Sequence, residues 1–129
     1  MRRKLLAISL VFGLSVPLLA HHGSAAFETD PAKRLMVKGT VTEWYWANPH
    51  CFLRFDVRDD SGQLVHWIAE TSNASDMIDR GWSHQSFKFG DEITVTLRPV
   101  KDGRKVGSVV QVVLATGQTL NALAPQAVR

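Results

Sequence analysis

The sequence predicts an all-β protein: a small, five-stranded, partly open antiparallel barrel, with one short helix between its third and fourth strands. Three observations carry that expectation. Most of the chain after residue 36 consists of short runs rich in Val, Ile, Thr and aromatic residues, and turn residues separate them. The clearest run alternates apolar and polar positions with a period of two, which half-buries a strand. The one stretch with helix-capping and helix-ending residues falls between the third and fourth runs.

The first strand is expected over residues 37–46, with Ala47-Asn48-Pro49 breaking it. Residues 51–57 form the second. Cys51, Leu53, Phe55 and Val57 share one side, while Phe52, Arg54 and Asp56 share the other. Asp59 to Gly62 reads as a turn, and residues 64–71 return as the third strand. Pairing residues whose numbers sum to 122 sets Leu53 against Ala69, Phe55 against Trp67 and Val57 against Val65, one continuous apolar face. A slip of one residue would oppose polar groups to that face. The same register puts Asp56 opposite His66.

Ser72-Asn73-Ala74-Ser75 offers helix caps before a short helix in "DMIDRGW", which Gly81 ends. In "GDEITVTLRPV" a fourth strand points Ile93, Val95 and Leu97 inward, and Pro99 closes it. Lys101-Asp102-Gly103 turns the chain into a fifth strand over 106–114, and the polar tail 116–129 is expected to be loose. Three strands, a helix and two strands is the order of the oligonucleotide/oligosaccharide-binding (OB) barrel. The chain thus divides into an export segment 1–20, an extended segment 21–36, a barrel 37–115 and a tail 116–129.

The export reading rests on Arg2, Arg3 and Lys4 followed by an apolar run ending at Ala20. That run is too short for a confident membrane span and carries no stop-transfer flank, so cleavage after Ala20 into the periplasm is expected, leaving no span in the processed chain. Three of the 15 Lys and Arg precede the cut and all 12 acidic residues follow it, so the formal +3 of the precursor becomes twelve against twelve. A neutral mature chain gives no footing to a nucleic-acid partner. The single Cys51 forms no internal disulfide, and burial is the expected state of a lone thiol in an oxidising compartment.

The stretches "HHGSAAFE", "GTVTEWYWANPHCFLRFDV", "DRGW" and "GDEITV" occur in order. This set resembles a family of small exported bacterial proteins, a domain of unknown function whose mature chains open on His-His and carry Asn-Pro-His. The likeness runs from His21 to about Thr119. It implies no established activity, and Cys51 is not part of the pattern.

Chemistry therefore rests on the five histidines. If His21 is the processed terminus, its α-amine and ring Nδ1 chelate together, and a third imidazole completes the T-shaped nitrogen set called a histidine brace, which suits copper; zinc is the other candidate. His22 is the alternative ligand in that tail. His50 is the expected third ligand, because Asn48-Pro49 makes a corner that holds it at the mouth of the first hairpin. The 14 steps from His21 to Leu35 reach roughly 45 Å, against about 30 Å of first strand. Glu70 and Asn48 are expected to steady the site from behind. His66, roughly 13 Å from His50, is expected to pair with Asp56 instead. His84 has no assigned place. Trp44, Trp46 and Phe52 are candidates for a ligand-stacking surface.

Signatures of a nucleophile elbow, a phosphate loop, a two-cysteine redox motif or an HExxH zinc helix are missing, and no enzymatic role is assigned. The expected function is periplasmic metal binding through His21, His50 and His22. The alternatives are a metal-free barrel that binds an envelope protein or small ligand, and an accessory redox protein.

Overall fold

The computed structural model describes residues 26–125. Six strands form, β1 (Leu35–Tyr45), β2 (Phe52–Arg58), β3 (Leu64–Glu70), β4 (Glu92–Pro99), β5 (Val106–Leu114) and β6 (Thr119–Asn121), with α1 (Ala74–Asp79) between β3 and β4. The sheet runs β3-β2-β1-β4-β5-β6 and bends until β3 meets β5, so the first five strands close a barrel. All pairings are antiparallel except that closure, where Ile68, Ala69 and Glu70 run parallel to Val106, Gly107 and Ser108. The barrel is thus mixed and closed, through three residue pairs.

The approach of β4 to β5 beside the closure demands a small residue. A Cβ on Gly107 would lie 2.7 Å from Leu97 Cδ1 and 3.0 Å from the Arg98 carbonyl oxygen, inside van der Waals contact. Only hydrogen lets β4 and β5 approach there while β5 also accepts β3.

Hairpin β2–β3 has the register its apolar faces require, with Leu53, Phe55 and Val57 opposite Ala69, Trp67 and Val65, and Asp56 opposite His66. Leu53, Phe55 and Ala69 are fully buried, and the Phe55 and Trp67 rings lie nearly parallel with centroids 6.4 Å apart. Ile93, Val95 and Leu97 complete the interior from β4.

β1 begins at Leu35, two residues before the expected start, and carries a bulge between Val41 and Glu43. One extra residue reverses which side chains face inward. Before it, Gly39 and Val41 are buried; after it, Trp44 and Trp46 pack on the core while Glu43 and Tyr45 are exposed. The loose alternation of this segment in the sequence has that cause.

Two expected boundaries are corrected. The helix starts at Ala74, capped by the Asn73 side chain, which accepts from the Asp76 amide. The tail is not loose from Thr116: β6 pairs with β5, Leu120 and Ala122 are buried, Trp82 donates through its indole nitrogen to Asn121 O at 2.8 Å, and the Arg80 guanidinium donates to Ala122 O. Apolar Leu120 and Ala122 supply burial that the polar average of the tail hides. Within the segment expected to be extended, Phe27 bridges to Val100 and Pro31–Lys33 makes a 3-10 turn capped by Asp30. Residues 1–25 and 126–129, including the export segment with its cleavage point, lie outside the described residues.

Candidate metal centre

The loop between β1 and β2 holds His50 by contacts to the strand and helix that follow the hairpin. Cys51 N donates to Ser72 O at 3.2 Å and Thr71 N to Cys51 O at 2.9 Å, extending the β2–β3 ladder past its last register pair. The Asn48–Pro49 bond is cis, and the Asn48 side-chain oxygen accepts the amide of Ala74 at 3.0 Å. That amide is among the first N–H groups of α1, which have no partner within the helix. Asn48 therefore ties the loop carrying His50 to the helix.

The His50 ring stands half-buried with Nδ1 2.8 Å from the Thr71 carbonyl oxygen. A carbonyl only accepts, so Nδ1 carries the hydrogen and the neutral ring has its lone pair on Nε2. A carbonyl holding one ring nitrogen in this way fixes the tautomer and the orientation of the ring. The sequence reading gave that backing role to Glu70; at Nδ1 it is filled by backbone. Glu70 sits opposite Phe52 on β2 and beside Ser108 on β5, one diagonal step from His50. Thr71 escaped notice because a carbonyl acceptor has no side-chain signature, although the register that pairs residue 52 with 70 already brings 50 to the 71–72 corner.

Other predicted residues separate cleanly. His21 and His22 lie outside the described residues. Cys51 is fully buried, its thiol donating toward Ala47 O at 3.4 Å, so it faces the interior while its neighbour His50 stands on the other side. His66 Nδ1 is 2.5 Å from Asp56 Oδ1, the cross-strand pair expected. Its separation from His50 is six strand positions, roughly 20 Å rather than 13 Å. His84 is exposed in the loop between α1 and β4.

The proposed stacking surface is divided by the β1 bulge. Trp44 packs against Trp46, Trp82 and Phe87 with centroids 5.7, 5.8 and 5.1 Å away and donates its indole N–H to Ser83 O at 2.9 Å. Phe52 stands on the outer side, opposite exposed Tyr45. Trp44 and Trp46 thus join the aromatic end of the core, and Phe52 does not share their face.

Among the described residues no three His, Cys, Asp or Glu side chains converge as a metal-binding group. A set built on His50 needs ligands from residues before 26. The chain there is anchored farther forward than Leu35, because Lys101 N donates to Ala26 O at 3.1 Å. The reach available to His21 is therefore five residues and not fourteen.

A family model described as a family of unknown function (DUF6152) matches residues 9–110. No curated protein matches the chain.

Proposed function

We propose for this chain, which belongs to a family of unknown function (DUF6152), the role of an exported, periplasmic metal-binding module that holds copper between a processed terminus at His21 and the imidazole of His50. The observation that carries the reading is the placement of His50: Nδ1 is held by Thr71 O, and the loop that carries the ring is fixed at both flanks. The amine and ring of His21 would supply the other two nitrogens, with His22 as the substitute. Nitrogen donors suit copper, and zinc is the second metal to test.

Chain length supports the reading within a narrow margin. From Ala26 the route over the outer face crosses the row Arg98, Ser108, Glu70, Phe52. Three strand spacings make about 14 Å and five positions along the strands about 17 Å, together roughly 22 Å. Five extended residues cover at most about 18 Å. Because the His21 amine must itself touch the ion, the reach of the His50 side chain alone makes up the difference, and only if the intervening residues are extended.

The test is Cu(II) titration of protein matured by export, with its amino terminus sequenced. His50→Ala, or one extra residue before His21, is expected to weaken binding at least a hundredfold, while His66→Ala leaves it unchanged. Affinity should fall on acidification, because protons compete with the metal for amine and imidazole. Equal affinity in wild type and the extended terminus would sink the brace and leave the metal-free barrel, bound to an envelope partner, as the better reading.

A further inference from the structure

On the far side of the barrel, where β1 begins and β4 ends, a cleft of about 300 Å³ has a floor that includes Leu35, Trp67 and Pro99 and a rim formed by Lys101, Arg104 and Lys105. The turn from β4 to β5 is fixed by Asp102, whose carboxylate accepts the Arg104 amide at 3.1 Å and its Nε at 2.8 Å. That contact neutralises Arg104, and Lys33 on the opposite lip is paired with Glu28 at 3.5 Å. Lys101 and Lys105 have no carboxylate within 4 Å among the described residues; the Lys105 ammonium lies 5.5 Å from the centre of the Trp67 ring.

We propose that this cleft binds a small organic anion, one carboxylate, sulfonate or phosphate group joined to a flat apolar body. Two ammonium groups without carboxylate partners attract the charge, and they stand over a floor that rewards removal of an apolar surface from water. The volume lies at the small end of ligand sites, enough for one or two fused rings. A nucleic-acid strand is disfavoured, because the chain after residue 20 carries twelve basic against twelve acidic residues, this turn included, and so has no net positive charge. The site is separate from His50 and does not depend on copper.

Amide-resolved NMR titration of the mature protein with naphthalene-2-sulfonate, 2-naphthol and sodium sulfate tests it. The sulfonate is expected to shift Leu35, Trp67 and residues 101–105, and to bind at least tenfold more tightly than either naphthol or sulfate. Lys101→Gln with Lys105→Gln should lose that tenfold, whereas His50→Ala should not change it. Equal binding of naphthol would reduce the cleft to an apolar patch, equal binding of sulfate to a charge cluster, and shifts elsewhere or none at all would overturn the proposal outright.

Discussion

The Nδ1–H of His50 donates to the carbonyl oxygen of Thr71 across 2.8 Å, joining the loop before β2 to the residue after β3. The same corner is fastened by the two backbone bonds between Cys51 and residues 71 and 72 and by the Asn48 side chain on Ala74. Four hydrogen bonds over so short a stretch fix the orientation of one imidazole, which is what a metal ligand requires before the ion arrives.

Shortening the segment before Ala26 is the most direct probe of this geometry. Deleting Ser24 and Ala25 removes about 7 Å of reach from a span already at its limit. Copper affinity should drop to that of His50→Ala, with the melting temperature of the metal-free protein unchanged. Calorimetric titration of the shortened, correctly processed protein reads the affinity and a thermal scan the melting temperature, and retained affinity would place the metal elsewhere.

Phe55→Ala deletes a fully buried ring stacked on Trp67 in the centre of the β2–β3 hairpin. A loss of about 3–5 kcal/mol is expected from such a truncation. Urea unfolding followed by tryptophan fluorescence measures it; a loss below about 1 kcal/mol is incompatible with this packing.

Gly39→Ala acts through the opposite defect. The added Cβ would fall 2.6 Å from the Asp56 carbonyl oxygen and 2.9 Å from Phe55 Cδ2, both on the neighbouring β2. Backbone cannot yield as a side-chain tip does, so a cost of about 1–3 kcal/mol is expected. The same unfolding experiment checks it, and a neutral result would mean that the strands can separate there.

At the β2–β3 turn, Asp59 accepts from the Ser61 hydroxyl and from the amides of Ser61 and Gln63. These hydrogen bonds, the Ser61 hydroxyl foremost, hold its carboxyl below the ordinary value of 3.8. A depressed folded value means the contribution is complete above the ordinary value and is lost as pH falls through the lower, folded one. Carboxyl-detected NMR titration should find Asp59 titrating at lower pH than it does in Ser61→Ala. Coincident curves would remove the hydroxyl from the account.

Sequence by itself determined the first five strands, the helix between the third and fourth, and the full β2–β3 register, because apolar alternation leaves only one pairing with a continuous buried face. It also determined the pairing of Asp56 with His66, a consequence of that register, and the burial of Cys51, the expected state of a lone thiol on the apolar side of its run. Tertiary structure decided the rest. The inward turn of Trp44 and Trp46 follows from a bulge set by the bend of β1 between two neighbours, which no local period encodes. Closure between β3 and β5 depends on how far the whole sheet curls, and β6 takes the part of the β5 edge that this closure leaves open. The acceptor behind His50 is a backbone oxygen from a residue 21 positions away, and backbone groups look alike in any sequence until the fold brings one of them within hydrogen-bonding distance.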